Sequence, residues 1–326
     1  MPLAKPHLLE KYYAVSDQSS LDADVKVRGV VYVETDVSYD DPTDDVATWA
    51  RGPLDEIGFL RDVVEGRYTD RDGEMLLGLV PWAPMHQTTH VLEEYLKLVE
   101  KRAGPHAWGR VKGFRFLLQS LLEPEDFTKL TSGDDFIANL QLLGRKGFSF
   151  DVGVDQHRAG AWQMEAMAQA MQKAHADVAE GEKVIFVINH LCKPDMHCDP
   201  AGVASGRGPF QEWSDAVAAM SKCSGTYMKL SGQFSEMRPG LKTVEDIAHS
   251  ITPWARHVLE TFGPRRTMFG SDWPVCNVDG PLGGQSWVAW KDVTKLLLAD
   301  PELGLSDTDR DWIWSKTAAE AYRLQT

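Results

Sequence analysis

Short apolar segments alternate with amphipathic segments along most of the chain. Seven of the apolar segments are rich in β-branched or aromatic residues, and several lack polar alternation, which favours strands buried on both faces. They are Arg28–Glu34, Met75–Pro81, Val111–Leu117, Phe148–Val154, Val184–Asn189, Thr226–Ser231 and Thr267–Ser271. Apolar residues spaced three and four apart predict helices between and after these strands. The predicted helices are Pro53–Glu65, Thr89–Arg102, Phe136–Lys146, Ala161–Val178, Phe210–Lys222, Val244–Phe262, Gln285–Ala299 and Asp307–Tyr322.

This alternation predicts an α/β fold with a parallel sheet and helices outside it. Seven strand–helix units are visible, whereas a closed (β/α)₈ barrel has eight. We therefore expect a distorted TIM-like (β/α)₈ barrel that lacks its first strand, in one domain over residues 1–326. Long connections follow three strands, at Asp36–Gly52, Leu191–Pro209 and Cys276–Gly284. In such barrels, the connections that follow strands carry the chemistry.

Composition excludes several classes of partner. The chain has 48 acidic and 34 basic residues and a net charge of −14, which disfavours nucleic acid and anionic membranes. No apolar run approaches the about 20 residues of a membrane span, and the N-terminal segment lacks a signal-peptide pattern. Cys192, Cys198, Cys223 and Cys276 are too scattered for a disulfide framework, which favours a reduced, cytoplasmic location. A zinc knuckle built from Cys192, His197 and Cys198 is the alternative, although no second Cys/His pair follows.

Two residues at strand ends are the strongest candidates for chemistry. Asp272 follows the strand Thr267–Ser271 in the sequence FGSDWP, and His190 follows the strand Val184–Asn189. The carboxyl ends of parallel barrel strands lie on one rim, so we expect the two side chains to face the same site. The alternatives are a helix N-cap for Asp272 and a backbone-bonded, structural histidine for His190.

Four further residues are candidates for substrate binding. Arg115 lies inside a strand, where a buried cation needs a partner, so it either binds substrate or pairs with Asp151 on the next strand. Lys229 is placed similarly, with an outward-pointing side chain as the alternative. His157 follows a strand and is a candidate rim contact. Trp273 is a candidate pocket wall, or a packing residue.

The segments GFRFLLQ, FSFDVGVDQHR, VINHLCKP, YMKLSG and FGSDWPVCN, in this order, resemble the amidohydrolase-related family of the amidohydrolase superfamily. Within it, the chain is most similar to sugar-lactone hydrolases of the fungal L-rhamnono-γ-lactonase type. The resemblance implies a distorted (β/α)₈ barrel, with Asp272 as catalytic acid of the last strand, His190 as the sixth-strand histidine and Arg115 as a substrate-binding arginine. It further implies a small sugar-lactone substrate opened by water. Asp272 would accept the proton of the water, and His190, with or without a divalent metal such as zinc, would polarise the carbonyl.

The chain departs from this family in one respect: family members begin with a strand that carries His-x-His, and no His-x-His occurs here. If a metal is bound, His190 and Asp272 remain as its ligands and the site is incomplete. A truncated gene model or a shortened paralogue would explain the departure. Three functions stay open: a lactonase, a catalytically impaired pseudoenzyme, and a metal-dependent decarboxylase or amide hydrolase of the same superfamily. A homodimer is also left open.

Overall fold

The computed structural model describes residues 8–17, 25–198, 208–237, 240–241, 243–278, 282 and 285–325. All seven predicted strands are present, each shorter than its apolar segment. They are β1 (Val30–Val33), β2 (Leu76–Val80), β3 (Gly113–Arg115), β4 (Ser149–Val152), β5 (Ile185–Ile188), β6 (Thr226–Leu230) and β7 (Thr267–Phe269). Parts of the predicted connections Leu191–Pro209 and Cys276–Gly284 lie outside the described residues.

Every paired strand runs parallel to its neighbour, and neighbours follow chain order. One sheet contains β1 and β2, and the other contains β3 to β7. Single bridges between Leu79 and Val111 and between Trp82 and Arg115 connect the two sheets. Within the described residues no ladder joins β1 to β7. The predicted fold class is therefore confirmed, with the carboxyl ends of seven parallel strands on one rim.

Helices cover the outer face of the strands. They are α1 (Leu9–Ser16), α2 (Val46–Trp49), α3 (Arg51–Val64), α4 (Asp70–Met75), α5 (Thr89–Trp108), α6 (Pro124–Ser132), α7 (Asp134–Arg145), α8 (Gln156–Ala159), α9 (Ala161–His175), α10 (Pro209–Met220), α11 (Val244–Phe262), α12 (Val275–Val278), α13 (Ser286–Ala299), α14 (Asp307–Asp311) and α15 (Thr317–Ala321). The predicted helix Asp307–Tyr322 is interrupted by a π-helical turn, Trp312–Lys316. None of the described helices combines the length and apolar composition that crossing a bilayer requires.

Helix α1 lies across the gap between the two edge strands. Its Tyr12 ring packs edge-on against Trp273, which follows β7, and against Trp287. On the other side, the Tyr13 hydroxyl donates to Asp72, which precedes β2, with an O···O distance of 2.7 Å. The helix therefore contacts both flanks of the opening, and a cavity of about 340 Å³ lies behind it.

Candidate active site

Strand register places charged side chains inside the barrel. Arg115 pairs with Asp151 across β3 and β4, and Lys229 pairs with Met268 across β6 and β7. Because registered residues of parallel strands share a face, these side chains point to the interior. The Lys229 ammonium lies 2.6 Å from a carboxylate oxygen of Asp151, and the Tyr322 hydroxyl donates to the same carboxylate. Lys229 is only 9% exposed, so the alternative of an outward-pointing lysine is wrong.

Arg115 has a different partner from the one considered in the sequence. Its guanidinium donates to the carbonyl oxygen of Glu34 at 2.9 Å, and its Nε lies 3.6 Å from the Glu34 carboxylate. Asp151 is already bonded to Lys229, so the alternative ion pair between Arg115 and Asp151 does not form. Nε of Arg115 has no hydrogen-bond partner among the described residues, although Arg115 is buried. Arg115 therefore forms a buried ion pair with Glu34, and it also lines the cavity described below.

His190 and Asp272 lie together at the carboxyl rim. Nε2 of His190 is 3.5 Å from Oδ1 of Asp272, and Nδ1 of His190 is 2.8 Å from Oγ of Ser231. The one-turn helix α12 begins three residues after Asp272, but the Asp272 carboxylate faces the imidazole. The structure thus brings these two predicted residues together, from strands that are distant in the sequence.

The backbone at both positions is strained. His190, Leu191, Cys192 and Lys193 all have positive φ, between 47° and 63°, and Asp272 has φ 54°. Such angles are unfavourable for residues other than glycine and persist where the surrounding structure imposes them. Here Leu191 and Cys192 are fully buried in the core. This left-handed turn directs His190 towards the cavity.

Burial changes the proton affinity of both groups. It raises the pKa of Asp272 to about 7, although the nearby cations Lys193, Arg115 and Lys229 act in the opposite direction. Burial, together with the charges of Lys193, Lys229 and Arg115, holds the pKa of His190 well below its usual value. At neutral pH the imidazole is therefore uncharged, and the carboxyl group is close to half ionised.

A cavity of about 340 Å³ lies between the β1 and β7 flanks of the barrel. Five of the six predicted site residues line it: Arg115, His190, Lys229, Asp272 and Trp273. The sixth, His157, is not among the lining residues. Its Nδ1 lies 2.7 Å from a carboxylate oxygen of Glu236. The volume is in the range of pockets that bind small molecules.

Asn189 lines the same cavity and was not singled out in the sequence. It is 2% exposed, and neither its Oδ1 nor its Nδ2 has a hydrogen-bond partner among the described residues. Buried amide groups are rarely left unbonded, which makes Asn189 a candidate for ligand binding. The sequence did contain a signal for Asn189, because it is a polar residue that ends an apolar strand directly before His190.

Among the described residues, those at the rim make up an incomplete zinc site. A catalytic zinc ion takes three protein ligands and a water, whereas His190 and Asp272 supply two ligand atoms among the described residues. The knuckle alternative is not formed either. The Cys192 thiol is buried against the sulfur of Met220, away from the cavity lining.

Comparisons with known proteins agree with this architecture. A family model described as Amidohydrolase matches residues 77–324. The chain is 29% identical to an L-rhamnono-gamma-lactonase of Scheffersomyces stipitis, over 99% of this chain and 92% of the relative. It is 25% identical to an L-fucono-1,5-lactonase of Burkholderia multivorans, over 86% of this chain and 80% of the relative.

Solved structures show the same fold. The crystal structure of an amidohydrolase from Burkholderia multivorans with bound zinc superposes with a TM-score of 0.71. The two sequences are 21% identical, and the match covers 99% of this chain and 90% of the other.

Proposed function

Because the chain belongs to the amidohydrolase family, we propose that it hydrolyses the ring ester of a sugar-acid γ-lactone similar to L-rhamnono-1,4-lactone. The observation that carries this proposal is a largely buried carboxyl group, with its pKa raised to about 7, 3.5 Å from an uncharged imidazole in the same cavity. The two lactonase relatives support the substrate class. The substrate is a small molecule, in keeping with the cavity volume.

Asp272 acts as the general base. Its carboxylate accepts a proton from a water molecule, whose oxygen attacks the ring carbonyl carbon. The C–O ester bond then breaks, and the proton passes from Asp272 to the leaving ring oxygen, which becomes a hydroxyl group. The open sugar acid is the product, and the carboxylate is restored. A pKa near the working pH suits a group that both accepts and returns a proton.

Positive charge and N–H donors stabilise the oxyanion that forms on the carbonyl oxygen. In the tautomer with the proton on Nε2, His190 accepts a hydrogen bond from Ser231 at Nδ1 and donates from Nε2. Arg115 and Lys229 line the cavity and contribute their positive charge. Preorganised donors of this kind are each worth about 10²–10³ in rate.

The test is a pH-stat assay of the full chain with a panel of aldono-γ-lactones. We expect turnover by the wild type and a fall in kcat of about 10²–10⁴ for Asp272→Asn, which keeps the shape of the side chain but removes the base. Asp126→Asn, an exposed residue of α6, is the matched control and should retain wild-type rates. Equal rates for wild type and Asp272→Asn would remove the proposal.

A protein that binds a lactone without turnover is the second candidate, and the two-atom donor set of His190 and Asp272 favours it. The same donor set gives no support to the metal-dependent decarboxylase or amide-hydrolase alternatives. Calorimetric titration with the lactones that fail in the pH-stat assay separates the candidates. Binding with heat but without acid release would identify the pseudoenzyme.

A further inference from the structure

Two histidines and an aspartate meet outside the cavity, on the loops at the carboxyl rim. His157 lies in α8, after β4, and Asp195 and His197 lie in the loop after β5. One potential ligand atom from each lies within 4.8 Å of the other two. We propose that His157, Asp195 and His197 bind a divalent first-row transition-metal ion of the zinc type, at a site separate from the candidate active site.

The hydrogen bond of His157 prepares it as a ligand. Its Nδ1 lies 2.7 Å from Glu236 Oε2, and the other oxygen of this carboxylate accepts from Lys193 at 3.0 Å. An ionised carboxylate only accepts, so Nδ1 carries the proton and Nε2 keeps its lone pair. Carboxylate–histidine pairs of this kind orient histidines that bind zinc.

A hydrogen bond also orients the second histidine, His197. Nε2 of His197 lies 3.1 Å from the carbonyl oxygen of Met237. A carbonyl oxygen only accepts, so Nε2 must be protonated and Nδ1 holds the lone pair. This Nδ1 lies 3.9 Å from Oδ1 of Asp195. Two imidazoles from separate loops therefore each have one nitrogen occupied by an acceptor and the other free to bind a metal.

Hydrogen bonds hold the loops that carry the ligands. The backbone N–H of His157 donates to the carbonyl oxygen of Lys193 at 2.9 Å, and the backbone N–H of Asp195 donates to the Gln156 side chain at 2.6 Å. Ligand atoms on a tetrahedral zinc ion lie about 3.3 Å apart. The three ligand atoms lie within 4.8 Å of one another, so binding would draw the two loops slightly together.

Local charge favours a cation here. The cluster contains three carboxylates, Asp155, Asp195 and Glu236, against two cations, Lys193 and Arg158. Two nitrogen donors and one carboxylate select zinc-like ions over calcium and magnesium, which prefer oxygen ligands. A bound ion would connect the loops after β4 and β5, and the latter loop begins with the left-handed turn of His190.

The test is a titration of chelator-treated full-length protein with Co²⁺, in which the visible d–d absorption of the bound ion is measured. A second titration adds Zn²⁺ as a competitor. We expect one ion per chain and a rise in melting temperature on binding. Asp195→Asn and His197→Gln should weaken affinity at least roughly tenfold, and Glu236→Gln by about 10–100-fold through the orientation of His157. Circular dichroism checks that each variant is folded.

Two controls separate this site from others. His249→Ala removes an exposed histidine of α11 and should leave affinity unchanged. His190→Ala should also still bind Co²⁺, whatever the outcome of the lactone assays. The proposal is overturned if the protein binds no Co²⁺, if Asp195→Asn and His197→Gln bind as well as the wild type, or if binding is lost in His190→Ala. An intense thiolate-to-cobalt absorption band would assign the ion to a cysteine and would likewise overturn it.

Discussion

Burial acts on Asp272 and His190 in the same way, because it disfavours the charged form of each. For the carboxyl group this raises the pKa to about 7, and for the imidazole it lowers the pKa well below its usual value. The pKa of the carboxyl group therefore lies above that of the imidazole, the reverse of their usual order. The carboxylate is the stronger base of the two. This is the physical reason for assigning proton acceptance to Asp272 and hydrogen-bond donation to His190.

The first prediction concerns the pH dependence of activity. Since Asp272 must be ionised to accept a proton, kcat/KM should rise tenfold per pH unit below the pKa of about 7 and level off above it. His190 should add no second ionisation in this range, because its pKa lies well below its usual value. The measurement is the kcat/KM profile across this range. A flat profile, or one that falls with rising pH, would contradict the assignment.

The second prediction concerns stability. Because the pKa of Asp272 is higher in the folded protein than in the unfolded chain, the folded state binds more protons between about pH 4 and pH 7. The stabilisation that comes from protonated Asp272 is thus complete below about pH 4 and is lost as pH rises towards 7. Compared with Asp272→Asn, the wild type should lose up to about 4 kcal/mol of unfolding free energy over this range. Denaturant titrations at several pH values test this, and parallel curves for the two proteins would refute it.

The third prediction concerns Asn189, whose buried amide lacks partners. Asn189→Leu should leave stability unchanged or raise it, because an unbonded buried amide costs about 1–3 kcal/mol, while KM for the lactone rises roughly three- to tenfold. Asn139→Leu is the matched control. Asn139 is equally buried, but its amide donates to two backbone carbonyls, so its loss should destabilise the protein.

Steady-state kinetics and denaturant unfolding distinguish the Asn189 and Asn139 variants. A loss of stability in both variants would contradict the role of Asn189.

At the level of elements, the regular strands were predictable and the short helices were not. Apolar, β-branched segments located all seven strands, since a strand buried on both faces leaves a run without polar residues. Helices α1, α2, α4, α6, α8 and α12 were missed, because four to nine residues provide too few turns for a three-to-four pattern to stand out. The predicted helix Thr89–Arg102 ends just before the break in α5 at Gly104, which has φ 67°, and the last helical turn after Pro105 was missed.

The candidate site was predictable where it depends on strand ends. Topology alone places His190 and Asp272 on one rim, and both line the cavity. Partners chosen by tertiary packing were not predictable. The sequence suggested an ion pair between Arg115 and Asp151 as one alternative. In the structure Asp151 bonds Lys229, and Arg115 contacts Glu34. These choices depend on side-chain reach across the barrel, which no local pattern records.

The fourth prediction concerns the turn after β6, where Gly232 has φ 73°. A Cβ at this position would lie 2.6 Å from Nδ1 of His190. Gly232→Ala should therefore displace the imidazole and lower kcat/KM by about 10²-fold. Gly263→Ala is the matched control, since it has φ 72° and no atom within 4 Å of the added Cβ. Both variants carry the left-handed backbone penalty of about 1–2 kcal/mol, but only the first should lose activity. Equal activity losses would show that the contact with His190 is unimportant.

At the level of the whole molecule, helix α1 closes an opening that the strands leave. Its Tyr12 is 5% exposed and packs against Trp273 and Trp287 on the β7 side, while Tyr13 reaches Asp72 on the β2 side. In the described residues, no hydrogen-bonded ladder connects these two flanks. Side-chain packing of one short helix thus takes the place of backbone pairing.

The fifth prediction follows from this packing. Tyr12→Ala should lower the free energy of unfolding by about 3 kcal/mol, because it leaves a cavity between the two flanks. Tyr68→Ala removes the same side chain from a position that is 54% exposed and should change stability by less than about 1 kcal/mol. Urea unfolding of the two variants is the measurement. Similar losses for both would mean that α1 contributes little to holding the barrel together.

The cavity behind α1 extends from residues before β1, such as Val27, to Trp273 after β7, so it follows the strands along much of their length. The side chains of Asp272 and His190 retain 13% and 15% exposure, so solvent reaches the reacting groups. Water in a solvent-accessible site would quench a carbanion or a reactive acyl intermediate. For ester cleavage the same solvent is the second reactant, and the exposed edge of Asp272 is where it can enter.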